Sequence, residues 1–490
     1  GVAEKEAEGP LAAEGMAQSS QPVLVKWQPW GGPREMSPRT VETARTPAWL
    51  RRGLLATLAA FAALASPAHA ITIDEAMEIA IRSHPALKAE MLEAEAADRT
   101  VGAARSGYFP SISFDGSLRD ERTERPTFDR TLTAREYSVT VTQPIFDGLA
   151  TPARVSEARS DAEAEAFEAG AVRNDIALEV ADAFLGALEA RKRLEIFSAQ
   201  EARARDIFDK LQKRAEVDRG LRSIVVVGRS QVEEARFLTL EAQRDVTLAD
   251  ARYRELVGDV PGELVEPVPP VELVGLDDDA ALARAEAAHP VLAAARARAE
   301  AAGGSKRVTR AALMPRLDAE LRARKGDNIE GITGRDNDYY AGLRVTYQFA
   351  TGGAAFYDLS AASYREKAAL ARVYDAARDV RLEVLTALET FRSQSATHAV
   401  LASRLAATSE LVRVYDAQFV SGRRDLIDLY FVLSEERSAA RAELEARFER
   451  LRSAYALMAA LGDLGQRGLL DGAVLGGESG GSGDRRDVNG

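Results

Sequence analysis

The side chains able to do chemistry are few. The chain holds four histidines and no cysteine, which excludes disulfides, thiolate metal sites, thiol nucleophiles and a lipid anchor on cysteine. His84 and His289 are the natural pair for a metal ion. Each stands directly before a proline, however, and neither has a carboxylate or another histidine at ligand spacing. A repeated structural corner is the expected role. His398 falls on an apolar helical seam and is expected to pack there; His69 falls in the N-terminal leader. The acid pairs Glu233-Glu234 and Glu435-Glu436 have the right groups for general acid–base work, but they lie in helical stretches where a solvated face is the default. There is no nucleophile elbow and no phosphate loop of the form G-x-x-x-x-G-K-[ST]. The residues therefore imply no catalytic centre, no metal and no cofactor.

What these residues sit on is a duplication. His84-Pro85 recurs as His289-Pro290, and Phe109-Pro110 as Met314-Pro315, both 205 residues later. Asp147-Gly148 aligns with Thr351-Gly352, and Gly220 with Gly422, at nearly the same offset. Landmarks repeated in one order mark two tandem copies, at 71–258 and 277–462. A proline-rich linker, Pro261 to Pro270, lies within 259–276, and a Gly/Ser/Asp tail covers 463–490.

Each copy is expected to open with a helix bent at its proline. In copy one, Ala76, Ile79, Ala80, Leu87 and Met91 hold helical spacing. From Ser111 the period becomes two. Ile112, Phe114 and Leu118 alternate with serines and Asp115; Tyr137, Val139 and Val141 alternate with Ser138, Thr140 and Thr142. These are two strands of about 9–11 residues, with a polar loop expected over 120–135. Copy two repeats the pair around Leu317–Leu321 and Ala341–Tyr347. Long helices are expected at 150–218 and 354–420. In the second, Leu370, Val373, Ala377, Val380, Val384, Ala387, Phe391, His398, Leu405, Val412 and Phe419 keep heptad steps. A helix of that length spans ~100 Å at ~1.5 Å per residue. No globular core needs one; a tunnel wall does. Half-length return helices follow at about 223–257 and 425–461.

Composition agrees. Hydrophobic residues make up 46% of the chain but aromatics only 6%, the Ala/Leu/Glu/Arg usage of long helices. The net charge of −12 argues against nucleic acid as a partner, because phosphate binding needs a basic face. Residues 1–50 read as a non-native or disordered leader, with Met36 the expected initiator. Arg51-Arg52, the apolar run Gly53–Ala65 and Ala68-His69-Ala70 read as a signal peptide over 51–70. No later segment is apolar for the ~18 residues that a spanning helix needs. The remaining route into a membrane is a barrel, and four strands cannot close one. Unpaired backbone groups in lipid cost several kcal/mol each, whereas twelve strands from three chains close, apolar side out and polar side lining water.

The order helix, His-Pro, aromatic-Pro, strand pair, Asp-Gly, long helix, glycine turn and return helix, twice over, resembles the TolC family of outer-membrane efflux and secretion proteins across 71–462. The resemblance implies an α+β membrane fold: a homotrimer with a 12-stranded outer-membrane β-barrel, four strands per chain, continued by a long α-helical barrel through the periplasm. It further implies docking to a periplasmic membrane-fusion adaptor, and an inner-membrane RND pump or ABC exporter as the source of energy. Transport to the outside would be by efflux or by type I secretion.

The same resemblance places an aperture at the tip near the second-copy turn, with an aspartate six residues after the turn glycine Gly422. That position is Asp428. Threefold symmetry would make it a carboxylate ring attracting cations; a solvated helix face is the other reading. The family's second acidic ring falls at Phe431, and the copy-one equivalent of Asp428 is Val226. Any electrostatic gate is thinner here, and Phe431 could form an apolar constriction instead. Arg423, Arg424 and Asp425 could pair between chains or touch the adaptor. Gly220, Arg222, Ser223 and Gly422 are the remaining adaptor-contact candidates. The competing reading is a periplasmic coiled-coil adaptor or structural protein, which would carry a single hairpin and no alternating strand pairs.

Overall fold

The computed structural model describes residues 70–217, 222–348, 352–421 and 423–465. The expected leader, all of the signal peptide but Ala70, and the tail beyond 465 lie outside these residues.

Copy one begins with α1 (Ile73–Ser83), started by a reciprocal cap. The Thr72 hydroxyl accepts from the Glu75 amide, and the Glu75 carboxylate accepts from the Thr72 amide at 2.8 Å. His84 leaves helical geometry (φ −68°, ψ 122°), and Pro85 starts α2 (Pro85–Arg105), where its missing N–H costs nothing. Next come β1 (Ser111–Arg125), β2 (Phe128–Phe146), α3 (Ala150–Val217, 68 residues) and α4 (Arg222–Val257). Copy two follows the same order: α5 (Asp278–Ala288), α6 (Pro290–Ala311), β3 (Arg316–Asp327), β4 (Arg335–Thr346), α7 (Ala354–Val420, 67 residues) and α8 (Leu426–Ala460). His289 reproduces the corner at φ −68°, ψ 121°.

Between the copies, the linker is pinned rather than loose. The Ile71 amide donates to Glu263 O at 2.8 Å and the Val265 amide to Ile71 O at 3.0 Å. Arg191 on α3 grips the Pro261 carbonyl at 2.9 Å and Asp250 at 3.1 Å.

One expectation is overturned. The stretch 120–135 is strand, not loop. Pairing runs without a break from Ser111↔Thr142 to Arg125↔Phe128, so only Pro126 and Thr127 turn. The strands are 15, 19, 12 and 12 residues long, not 9–11. Backbone ladder bonds need no apolar side chain, and here charges pair across them. Arg122 meets Asp129 at 2.7 Å, and the Thr133 hydroxyl donates to Asp120 at 2.8 Å. The outward apolar side chains of this strand run from Ile112 to Leu118. Tilted as barrel strands are, that stretch covers ~17 Å, inside the ~25 Å height of a lipid-facing band. The charged remainder projects beyond it.

The four strands form one antiparallel sheet in the order β1-β2-β3-β4. Ile112, Phe114, Leu118, Tyr137, Val139, Leu321, Leu343 and Val345 are exposed on one face. The other face carries Ser113, Asp115, Thr140, Arg322 and Glu320, tied by ion pairs such as Arg344–Glu320 at 2.6 Å and Arg324–Asp336 at 2.9 Å.

The core lies where the half-helices meet. Phe184 and Val180 of α3, Tyr253 of α4, Val384 and Leu388 of α7, and Phe448 and Leu451 of α8 are buried together with Met77 and Ala80 of α1. The heptad seam of α7 is its buried stripe: Val380, Val384, Phe391 and Val412 are inside, although Leu370 is half exposed.

His289 is only 6% exposed, and its Nδ1 has no hydrogen-bond partner. Burial pushes its pKa below the ordinary value, so it sits neutral in the fold. Unfolded, it titrates near ~6.5. Between the two values the unfolded chain binds more protons, so this contribution is complete above the unfolded pKa and lost as pH falls toward the folded one. Between about pH 7.5 and 5.5 the unfolding midpoint is expected to drop more steeply than in His289→Asn. Parallel profiles for the two proteins would refute the assignment.

Candidate aperture at the helical tips

Four helix ends meet far from the sheet. Ile207 and Leu211 of α3 and Leu426, Leu429 and Tyr430 of α8 are buried in a second apolar cluster, with Ile224, Val225, Tyr415 and Phe419 packed on it. Leu429 is 0% exposed. The cluster makes a unit of two hairpin ends, and the turn residues hang from that unit.

Arg424 organises the second turn. Its guanidinium lies 4.3 Å from the Tyr415 ring centroid, its Nε donates to Gln418 Oε1 at 3.0 Å, and its Nη1 reaches Asp428 Oδ2 at 3.1 Å. Cation–π contact and a carboxylate thus fix one side chain against both helices of the hairpin. The ion pair is exposed on both sides and is worth ~0–1 kcal/mol, so its effect is on charge rather than stability. Every Asp428 carboxylate has a guanidinium beside it.

Asp428 and Phe431 are three residues apart and share one helix face. Phe431 is 68% exposed, and Ile427 beside it is exposed too. Asp425 supplies the N-cap backbone of α8 without a side-chain cap bond. The Arg423 amide donates to Gln418 O at 2.9 Å, and its side chain is exposed. In copy one, Arg222 and Ser223 are exposed at the start of α4. Gly220 and Gly422 lie outside the described residues. The fold thus brings Arg424, Asp428 and Phe431 together, and puts Arg222 and Ser223 at the other turn.

The acid pairs lie on solvated faces, as expected, with Glu233, Glu234 and Glu435 exposed and Glu436 half-buried, but three of the four also carry arginine partners. Glu234 of α4 pairs with Arg437 of α8 at 3.0 Å, Glu436 of α8 with Arg203 of α3 at 3.4 Å, and Glu435 of α8 with Arg404 of α7 at 3.4 Å. Two of these join one hairpin to the other just above the tip. Their recurrence between copies at an offset of 202 residues was the available signal. Beside them a cavity of about 60 Å³ is lined by Gln200, Arg203 and Tyr430. Burial pushes the Tyr430 phenol up, and its hydroxyl has no partner there. His398, expected to pack on the seam, does so with its ring 3.2 Å from Glu443. Among the described residues no group of acids, histidines or cysteines is arranged to hold a metal ion, and no helix is long and apolar enough to cross a membrane. The arrangement can narrow, line and charge a passage.

The sequence model described as "Outer membrane efflux protein" matches twice, over residues 76–259 and 281–463. The chain is similar to Protein CyaE of Bordetella pertussis, 26% identical over 416 residues, covering 82% of this chain and 86% of that protein. It is also similar to outer membrane efflux protein BepC of Brucella suis, 23% identical over 394 residues, covering 80% and 85%. Among solved structures, VceC of Vibrio cholerae superposes with a TM-score of 0.67 at 17% identity, covering 80% of this chain and 96% of that one. The open-state MtrE outer membrane channel of Neisseria gonorrhoeae gives 0.66 at 18%, covering 80% and 89%.

Proposed function

The chain belongs to the outer membrane efflux protein family, and from that premise we propose that three copies close a 12-stranded barrel whose helical extension ends in the Arg424–Asp428–Phe431 aperture. It is a TolC-like outer-membrane channel-tunnel, reaching into the periplasm and exporting by efflux or type I secretion. The observation that carries the trimer is the sheet itself: one apolar exposed face, and two outer strands, β1 and β4, that have no further strand beside them among the described residues. Exposed apolar side chains continue down both flanks below it. Phe356, Tyr357 and Tyr364 lie on α7 beneath β4, and Phe237, Leu240 and Leu248 on α4, as expected of surfaces awaiting a neighbour. A periplasmic adaptor would meet the turns at Gly220–Ser223 and Gly422–Asp425, and an inner-membrane RND pump or ABC exporter would supply the energy.

Reconstitution in planar bilayers tests this reading. The purified protein should run as a trimer on unheated gels and conduct. Asp428→Ala should weaken block by trivalent cations added from the helical side, and Arg424→Ala, which removes the neutralising partner, should strengthen it. A monomer in mild detergent would contradict the assembly; identical block in all three proteins would remove the carboxylate ring.

A further inference from the structure

Just below the sheet, a groove of about 580 Å³ runs down α3, with the end of α2 on one side and α6 on the other. Its size falls within the ~300–1,000 Å³ of small-molecule sites. Tyr108 and Phe109, both exposed, stand at its upper end beside β1. Arg105, the last residue of α2, and Arg159 of α3 come next. Glu163, one turn below Arg159, and Glu300 of α6 line the lower end. None of these four charged side chains has an ionic or hydrogen-bonding partner among the described residues. By contrast, Arg298 of α6 is held by Glu165 at 3.2 Å and Glu168 at 2.6 Å. From the sheet downward the lining is thus aromatic, then cationic, then anionic.

Chirality decides which side of the helical wall this is. Pro126 and Thr127 make a two-residue turn, so Arg125 and Phe128 form a hydrogen-bonded pair, and with Arg125 goes every odd residue of β1. Ser111, Ser113 and Ser117 are among them, with side chains on the polar face and backbone groups pointing at β2. For L-residues on a strand running away from the helices, β2 then lies to the left of β1 when the sheet is seen from its apolar face. Below β2, α3 descends between two neighbours: Gly107, just past α2, meets it at Thr151, and Gly304 of α6 meets it at Glu157. A right-handed helix in that setting turns Pro152, Ser156, Arg159 and Glu163 to the apolar side of the sheet and Asp161 to the polar side. The groove therefore continues the apolar face of the strands downward. It sits astride α3, within one chain.

We propose that this groove holds the headgroup of a phospholipid whose phosphate is followed by a primary amine, one lipid per chain, at the level of the periplasmic leaflet. The proposal rests on the trimeric-channel reading, which sets the apolar face of the sheet in lipid. The order of groups with depth matches such a lipid. Its acyl chains would lie along Ile112 and Phe114, exposed on β1, with Tyr108 at the boundary where amphipathic rings collect. Arg105 and Arg159 would grip the phosphate, whose oxygens suit the guanidinium fork. Glu163 and Glu300 would take the ammonium. One helical turn, ~5.4 Å, separates Arg159 from Glu163, a step that a two-carbon linker bridges. An anionic headgroup without an amine would meet the two carboxylates unpaired, so the same groove selects against it.

Native mass spectrometry of the purified trimer in detergent reads the bound lipid directly. Phosphatidylethanolamine and phosphatidylglycerol are offered together. The unaltered trimer should retain up to three phosphatidylethanolamines and prefer them roughly tenfold, the ratio that a modest difference in binding energy produces. Arg105→Gln with Arg159→Gln should lose both lipids. Glu163→Gln with Glu300→Gln should keep binding but lose the preference, because only the amine contact is gone. Excess inorganic phosphate should displace neither lipid; displacement would make free phosphate the ligand and end the lipid assignment. Equal retention by the unaltered and the double-arginine proteins would also overturn the site, while a conducting trimer would leave the channel reading standing. If the unaltered protein gives neither trimer nor conductance, the groove does not face lipid and both readings fall. Should the double-arginine protein fail to assemble, Arg159→Glu with Glu163→Arg keeps every charge but inverts their order, and an undiminished preference for the amine lipid in that protein would refute the proposal.

Discussion

Leu321→Arg is expected to cost about 2–4 kcal/mol per chain, the penalty for a cation at the lipid-facing midplane of a barrel, and to strip the trimer from outer-membrane fractions. Leu321 is 55% exposed and lies across from Val141 on one side and Ala341 on the other, in the middle of the apolar band. No described residue covers it, so a soluble scaffold would tolerate arginine there within ~0.5 kcal/mol. The contrast is Thr142→Arg, at similar depth on the other face and directly opposite Glu320. That cation would meet water and a carboxylate, and trimer yield should hold. Quantifying heat-modifiable trimer for both variants separates the cases; equal loss, or none, would reverse the assignment of the two faces.

Gly304→Val should destabilise by about 3 kcal/mol, the upper part of the range for overpacking. A Cβ on Gly304 would stand 2.8 Å from the Glu157 Cα and 3.0 Å from its amide nitrogen, so α6 crosses the backbone of α3 where only hydrogen fits. The obstacle is backbone, and relief requires moving one helix off the other. The neighbouring Gly303 supplies the control. Its Cβ would meet only the Glu366 carboxylate at 3.4 Å and Arg307 at 3.7 Å, an ordinary contact with flexible side chains. Gly303→Ala should therefore gain some of the ~0.8–1 kcal/mol by which alanine outranks glycine in a helix. Adjacent residues of one type thus carry opposite expected signs, and urea midpoints of the two variants measure them. A loss in both would mean that α6 is packed more closely to α7 than described.

The duplication and the long helices were legible because periodicity reports what a helix buries. Val380, Val384 and Phe391 were on the page as a seam before any packing was known. The strands were legible only where lipid faces them. Past Leu118 the outward positions are Asp120, Arg122 and Glu124; the apolar alternation stops there but the backbone pairing does not. The tip shows the same limit. Asp428 and Phe431 could be placed by counting from the turn, but that Arg424 reaches Tyr415, Gln418 and Asp428 together depends on how the turn bends. The arginine partners of Glu234 and Glu436 were not legible because they lie 203 and 233 residues away in the chain.

The bare borders of the sheet bear on inheritance as well as architecture. A protomer whose β1 and β4 are intact can still join sound neighbours, even when a missense change spoils its interior. Such alleles should act as poisons, because one bad subunit ruins the ring that admits it. A chain cut before β4 lacks one border, cannot complete a ring, and should leave the healthy copies to find one another. Severity would then follow whether a lesion preserves the ability to join rather than how much of the protein it removes.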